Sequence, residues 1–223
     1  MIDLSFMLQA GEISTVYRWP LWRALTLDLP WLASETQYAS GVHALKLVYT
    51  GNGLGCKSMR TALLTKRTRL VLRLPQQHAQ QATDKLFGRT LKLEVEPDKP
   101  ELAGHATHAC HYELALGQCI ERPLQEASTL YADCVTTGSS DETKFIQDIE
   151  AELEQLGISC HMICGSSRQI VTGQPGVRAL RGFALALHDL SLENAILIQS
   201  HGLGKERRFG CGIFVPHKSI SGL

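Results

Sequence analysis

The residues best suited to chemistry lie near the end of the chain, where glycines surround three cationic side chains. The segment runs from Gly202 to Pro216, and its glycines and cations are Gly202, Gly204, Lys205, Arg207, Arg208, Gly210 and Gly212. Glycine permits positive φ angles and a close approach of the main chain to a ligand, so successive N–H groups and cationic side chains can surround an anion. The segment therefore predicts a phosphate-binding loop. The alternative is a hairpin turn whose glycines serve geometry and whose cations are solvated.

A second group of cations lies in the first half of the chain. Its members are Lys57, Arg60, Lys66, Arg67, Arg69 and Arg73. Because side chains alternate along a strand, Arg69 and Arg73 share one face of the segment from Thr68 to Leu74. Cations on one face are typical of a surface that contacts a nucleic-acid backbone.

The composition describes a chain with a real core and no overall charge preference. It has 223 residues, 44% of them hydrophobic, with 22 Lys and Arg against 22 Asp and Glu. Any nucleic-acid surface must therefore come from local clustering of cations. Seven cysteines, an odd number, favour reduced thiols over a disulfide framework. With no long apolar run and no basic leader segment, we expect a soluble, cytoplasmic protein that does not contact a membrane.

Two cysteine- and histidine-containing stretches could suggest a metal site. They are His105, His108, Cys110 and His111, and then Cys160, His161 and Cys164. Their spacing does not match the ligand pairs of structural zinc sites, and Cys160 and Cys164 are two strand periods apart, as small core residues would be. We expect no metal and no cofactor. A phosphate-loop NTPase is also disfavoured, because the Gly-rich segment precedes a strand and does not open a helix.

Hydrophobic periodicity predicts the order of elements in the first half. The segment from Ile2 to Leu8 alternates as a strand does, and a helix follows between Pro20 and Pro30. Strands are predicted at 42–49, 68–74 and 90–95, with a helix at 76–87. The first half therefore has the order β-α-β-β-α-β, and residues 97–127 are interpreted as a connecting stretch.

The second half repeats this order. Strands are predicted at 130–136, 158–164, 177–187 and 212–216, with helices at 141–156 and 192–200. The order β-α-β-β-α-β gives an antiparallel sheet with two helices on one face. We therefore predict an α+β chain of two tandem ferredoxin-like domains, residues 1–100 and 101–223, the second carrying the Gly-rich loop.

With these elements placed, the chain resembles the CRISPR-associated repeat-processing endoribonucleases, the Cas-six family, and within it the short Cmx-type branch. The resemblance is carried by the Gly-rich segment, by Arg181-Gly182-Phe183-Ala184 before the helix at Leu192, by the residues from Thr68 to Pro75, and by Gly41-Val42-His43. It implies tandem ferredoxin-like folds and recognition of the stem-loop of CRISPR repeat RNA. It also implies metal-independent cleavage at the stem base, giving a cyclic phosphate, and a place in a Cascade-like guide-RNA complex.

The resemblance also implies roles for particular residues. The cations of both clusters would contact RNA phosphates, and loop bases could stack on Trp19, Trp22 or Trp31, unless these aromatic residues belong to the core. His43 is the leading candidate for proton transfer, since its ordinary pKa suits acid or base work. The alternative is a structural histidine in a strand.

Tyr17 occupies the position at which the family commonly has a histidine. A tyrosine is a poor base at neutral pH unless a neighbouring cation such as Arg18 lowers its pKa. The departure keeps open a second function, a subunit that binds repeat RNA without cutting it. A third, a ferredoxin-like domain that binds a small molecule, predicts no salt-sensitive RNA affinity.

Overall fold

The protein is described by a computed structural model covering residues 1–9, 11–34, 40–49, 61–96 and 109–218. It is a mixed structure of three antiparallel sheets and four α-helices within these ranges. None of the helices described there is long and apolar enough to cross a membrane.

The first half is built around a five-stranded sheet. Its strands are β1 (Ile2–Leu8), β3 (Gly41–Val42), β6 (Arg69–Leu74), β7 (Thr90–Val95) and β8 (Cys110–Pro123), in the spatial order β3-β6-β1-β8-β7. A small second sheet in the order β2-β5-β4 contains β2 (Gly11–Ser14), β5 (Thr61–Leu64) and β4 (Val48–Tyr49).

Two helices cover one face of the five-stranded sheet, α1 (Arg18–Asp28) and α2 (Ala79–Leu86). In α2, Ala79, Ala82 and Leu86 recur at helical spacing and are buried. They pack with strand residues of even number, including Leu4, Phe6, Leu70 and Leu72. The opposite, helix-free face therefore carries the odd-numbered residues of β1 and β6.

The second half forms a four-stranded sheet of β9 (Leu130–Val135), β10 (His161–Ile170), β11 (Leu180–His188) and β12 (Val215–Pro216). Their spatial order is β10-β11-β9-β12, and one face is covered by α3 (Glu142–Gln155) and α4 (Leu192–His201). Side chains of the preceding residues cap both helices: Asp141 accepts from the Lys144 N–H at 2.8 Å and Ser191 from the Asn194 N–H at 3.1 Å. The element order is the one predicted, with boundaries shifted by a few residues.

The predicted order of the first half was wrong in several places: the strand predicted at 42–49 is two short strands, β3 and β4, in different sheets, and β2 and β5 were not predicted. Residues 110–123, interpreted as part of a connecting stretch, form a 14-residue strand directly beside β1. The charged and small residues of this segment obscured its alternation, although Leu114 and Leu116 are buried in the first core. The change from the first sheet to the second therefore falls between Pro123 and Leu130, and not at residue 100.

The two halves contact each other through main-chain groups as well as side chains. The Trp19 N–H in the first turn of α1 has no partner within its helix and donates to the Thr172 carbonyl at 2.8 Å. Gly173 lies so close to the Val16 carbonyl that an added Cβ would be 2.6 Å from its oxygen. The hairpin between β10 and β11 is thereby held against the start of α1.

Candidate functional site

His43 lies where β3 leaves the first sheet. Its N–H donates to the Val71 carbonyl at 2.9 Å, which continues the antiparallel pairing of β3 with β6 by one residue. This register puts the His43 side chain on the helix-free face, with Asp3 and Arg73. Its Nε2 is 3.5 Å from Asp3 Oδ1 but has no hydrogen-bond partner, and the side chain is 18% exposed.

Asp3 and Arg73 form a bidentate ion pair below this histidine. Arg73 Nε donates to Asp3 Oδ1 at 2.7 Å and Nη2 to Oδ2 at 2.8 Å. The remaining nitrogen, Nη1, donates to the carbonyls of Phe214 at 2.6 Å and Gln199 at 3.1 Å, both in the second half. Arg73 is 1% exposed, so this side chain joins the two halves and does not face solvent.

The charges around His43 determine its protonation. Burial lowers the pKa of His43, and the cations Arg73 and Arg207 lower it further, against the raising effect of Asp3. For Asp3, burial alone would raise the pKa, but the hydrogen bonds and charge of Arg73, together with the nearby His43, bring it well below its usual range. At neutral pH the site therefore holds a carboxylate and a neutral imidazole, which can accept a proton.

Tyr17 and Arg18 lie behind this site and serve packing. Tyr17 is 4% exposed, and its hydroxyl accepts a hydrogen bond from the Leu45 N–H at 2.8 Å. Burial raises the pKa of Tyr17 and outweighs the lowering effect of the nearby Arg18 charge. The Arg18 guanidinium donates to the Phe209 carbonyl and so ties α1 to the Gly-rich segment. This geometry does not suit Tyr17 to act as a base.

The Gly-rich loop, defined as residues 202–212, directs three of its main-chain donors inward. Gly204 N–H donates to Glu152 Oε2 at 2.7 Å, Lys205 N–H to the Thr136 carbonyl at 2.8 Å, and Gly212 N–H to the Cys134 carbonyl at 2.8 Å. These amides bind the loop to β9 and α3, so they are not available for an anion. The phosphate-binding role expected of the loop therefore does not rest on these three amides.

The glycines of the loop are explained by the same packing. Gly204 has φ +72° and an added Cβ would be 2.6 Å from the Thr136 oxygen. Gly212 has φ +64°, with an added Cβ at 2.2 Å from the Leu203 oxygen. Any side chain at these positions would meet main-chain atoms in a conformation that L-residues rarely adopt.

The three cations of the loop have different environments. Arg207 is 4% exposed and donates to the Ser200 carbonyl at 2.9 Å and to the His201 carbonyl, where it satisfies the last carbonyls of α4. Burial and the charge of Arg73 lower its pKa to about 10. Arg208 lies on the surface beside Glu206 at 2.9 Å and over the Phe209 ring at 4.6 Å, and Lys205 is exposed. Arg208 and Lys205 are therefore the cations that the loop presents to solvent.

The cations of the second basic cluster also differ in their exposure to solvent. Lys57 and Arg60 lie outside the described residues, and Arg73 is buried as described above. Lys66 and Arg67 are exposed in the turn between β5 and β6. Arg69 folds back on this turn and donates to the carbonyls of Lys66 at 2.7 Å and Thr68 at 2.9 Å. Arg69 shares the helix-free face with His43. It lies two residues along β6 from Val71, the residue that pairs with His43, and this separation is about 7 Å.

The tryptophans are packed into the structure. Trp22 is 8% exposed, Trp31 stacks on His78 with ring centroids 4.2 Å apart, and Trp19 meets Phe209 edge-on at 6.3 Å. Trp22 therefore belongs to the core, and Trp19 and Trp31 are partly buried against it. Among the described ranges, no group of three or more histidine, cysteine or acidic side chains gathers as metal ligands.

Sequence reasoning missed Asp3 and the support it gives to His43. A signal was present, because Asp3 is the one charged residue of β1. The direct pairing of Asp3 with Arg73 required the antiparallel register of β1 and β6.

The fold and site together define a mixed α/β protein of three antiparallel sheets in which a partly buried histidine lies between two exposed basic segments. The Cas6 CRISPR family model matches residues 2–219, and the chain belongs to this Cas6 family. It is 30% identical over 217 residues to the CRISPR-associated endonuclease Cas6 of Myxococcus xanthus, a match that covers 96% of this chain and 81% of that protein. The family resemblance seen in the sequence is thereby confirmed.

Solved structures show the same fold at low sequence identity. A Cas6-related protein from Pyrococcus furiosus has a TM-score of 0.57 at 8% identity, covering 96% of this chain and 97% of that one. A RAMP protein described as binding different RNA substrates has a TM-score of 0.60 at 10% identity, covering 98% of this chain and 100% of that one. At these identities the likeness supports the fold alone.

Proposed function

We propose that this chain is a tandem ferredoxin-like endoribonuclease that binds the stem-loop of CRISPR repeat RNA and cleaves it at the stem base without a metal ion. The main support is the neutral imidazole of His43, whose side chain is 18% exposed and whose buried Nε2 faces Asp3, between the exposed cations of the Gly-rich loop and those of the β5–β6 turn. Membership of the Cas6 family and the likeness to an endonuclease of that family support the choice of CRISPR RNA as substrate.

In this mechanism His43 acts as the general base. Because Nε2 faces Asp3, the other ring nitrogen, Nδ1, accepts the proton of a ribose 2′-hydroxyl, whose oxygen attacks the adjacent phosphorus. The bond from phosphorus to the 5′ oxygen breaks, leaving a 2′,3′-cyclic phosphate on one product and a 5′-hydroxyl on the other once that oxygen takes up a proton. Asp3 stabilises the imidazolium that forms, because its carboxylate lies 3.5 Å from Nε2.

Phosphate contacts are assigned to the cations that reach solvent. These are Lys205 and Arg208 of the Gly-rich loop, and Lys66, Arg67 and Arg69 of the turn. Arg73 and Arg207 support the site from inside, where their guanidinium groups bind protein carbonyls. Cations near the reacting phosphate also stabilise the charge that develops on its oxygens. We further propose that the protein stays on its product within a Cascade-like complex.

The test is single-turnover cleavage of the host's own repeat RNA in excess chelator, with affinity measured in parallel. We expect one cut at the stem base, and we expect His43→Ala to slow cleavage at least a hundredfold, in the range of general-base contributions, with little change in affinity. His111→Ala is the matched control, since His111 is an exposed histidine on β8. Equal losses of cleavage and affinity in His43→Ala would contradict the catalytic role.

A second candidate function is a repeat-RNA-binding subunit that does not cut. The observation that favours it is Tyr17, buried at a position where the family commonly has a histidine. Tight, salt-sensitive binding of the repeat RNA with no cleavage over a range of pH would select this function.

A further inference from the structure

The helix-free face of the second sheet carries a row of imidazole rings that the site described above does not use. His161 at the start of β10 pairs with His188 at the end of β11, and their ring centroids are 6.3 Å apart. Thr129, just before β9, hydrogen-bonds His188 Nδ1 at 3.3 Å and accepts from the His217 N–H at 3.0 Å through its carbonyl. The row His161, His188, Thr129 and His217 thus crosses all four strands.

The neighbouring row on the same face is aromatic and aliphatic. Register places Ile163, Ala186, Tyr131 and Val215 side by side across the strands. Tyr131 also contacts His217, with ring centroids 5.4 Å apart. Ile163 is 48% exposed, and His161 and His217 are exposed, so rings and apolar groups face solvent without a helix above them.

The corresponding face of the first sheet is not free in this way. There Asp3 and Arg73 occupy the face and are covered by the carbonyls of Phe214 and Gln199. The second sheet contacts the Gly-rich loop near the C-terminal end of β9, away from the histidine row, where Cys134 Sγ is 3.8 Å from Cys211 Sγ. Five strand residues, about 17 Å, separate Cys134 from Thr129.

We propose that this second-sheet platform, formed by His161, His188, His217 and Tyr131, binds unpaired bases of the single-stranded RNA that flanks the stem. Imidazole and phenol rings on an open four-stranded sheet are suited to stack on bases, which all have a π-face. The carboxylate of Asp133 on this face forms an ion pair with Arg168 at 3.1 Å, and the cationic Lys218 follows His217. These charges do not repel a phosphate backbone. The distance from the Gly-rich loop is one that a few nucleotides span. This inference rests on the proposed function.

The test compares three RNAs: the host repeat stem-loop with its single-stranded flank, the stem-loop alone, and the flank alone with 2-aminopurine at successive positions. For the double variant His161→Ala with His217→Ala we expect roughly tenfold weaker binding of the flanked RNA, as base stacking contributes, and unchanged binding of the stem-loop alone. Quenching of 2-aminopurine fluorescence by the wild-type protein should disappear in this variant. Both positions are exposed, so the fold should be retained, and far-UV circular dichroism checks this.

Two control variants separate stacking from other effects. His161→Phe with His217→Phe keeps ring faces and should retain affinity for the flank, while His111→Ala removes an exposed histidine from the first sheet and should change nothing. The inference is overturned if the wild-type protein binds flanked and unflanked stem-loops with equal affinity. It is also overturned if the alanine variant binds the flank as tightly as wild type, in which case the face would serve another partner, such as a protein. Normal stem-loop binding in that case would leave the proposed function intact. Failure of the wild-type protein to bind any of the three RNAs would overturn both.

Discussion

The buried side chain of Arg73 should contribute more to stability than any surface cation of this protein. Replacing Arg73 by alanine removes both bonds to the Asp3 carboxylate and the donor of two carbonyls in the second half. Breaking a buried ion pair from one side costs about 3–5 kcal/mol, and each buried carbonyl without a donor costs about 1–3 kcal/mol.

These costs overlap, since the Asp3 side chain keeps 16% exposure and can gain water. We therefore expect Arg73→Ala to lower the free energy of unfolding by about 4 kcal/mol, against a typical total of about 5–15 kcal/mol for a domain. The measurement is urea unfolding followed by tryptophan fluorescence, because Trp19 and Trp22 lie in or beside the first core.

Arg69→Ala is the matched control on the same strand and face. Its guanidinium binds only carbonyls of its own turn, and we expect a change within about 0.5 kcal/mol. The paired replacement Asp3→Leu with Arg73→Met removes both charges and should recover much of the loss. A cost for Arg73→Ala within 1 kcal/mol of that for Arg69→Ala would refute the reasoning, as buried pairing predicts a difference of about 3–4 kcal/mol.

Three further predictions concern the loop and the titrating pair. Arg207→Ala should lower the free energy of unfolding by about 2 kcal/mol, because carbonyls of α4 lose their donor, whereas Arg208→Ala should keep stability and reduce the slope of log affinity against log salt by about 1. Urea unfolding measures the stability of each variant, and filter binding measures its RNA affinity. Equal effects of the two substitutions on stability and on the salt slope would contradict a buried Arg207 and a solvent-facing Arg208. Asp3 has a lowered folded-state pKa, so its stabilisation is complete above the unfolded value of about 3.9 and is lost as pH falls below it. The stability difference between wild type and Asp3→Asn should then shrink from pH 5 to pH 2, and a constant difference in urea unfolding would count against it. Finally, the cleavage rate should fall as His43 becomes protonated at low pH, with an apparent pKa below about 6.5. Asp3→Asn should shift this fall in rate to lower pH, because Asp3 raises the His43 pKa. A fall in rate that begins above pH 7 in single-turnover assays would exclude His43 as the base.

Much of the secondary structure could be predicted because its signals are local. The alternation from Ile2 to Leu8 and the helical spacing of Phe145, Ile149 and Leu153 involve neighbours in the chain, and both elements formed as expected. The strand at 110–123 was missed, since its polar positions resemble a connection when read alone and only its pairing with β1 on one side and β7 on the other makes it a strand.

The candidate site was predictable in composition but not in arrangement. The glycines were correctly interpreted as requiring unusual backbone geometry, which depends on residue type. The amides of Gly204, Lys205 and Gly212, however, bind Glu152, Thr136 and Cys134, residues more than fifty positions away in the chain, and no local pattern carries that information.

The sequence by itself determined the family, the order of elements in the second half and the residue types available for RNA chemistry. Only the tertiary structure decided which cations reach solvent. Arg207 and Arg208 are adjacent and alike in the sequence, yet one lies inside at the end of α4 and the other lies on the surface. The reason is physical: charge and hydrogen-bonding capacity belong to the side chain, whereas burial depends on which distant groups the folded chain brings against it.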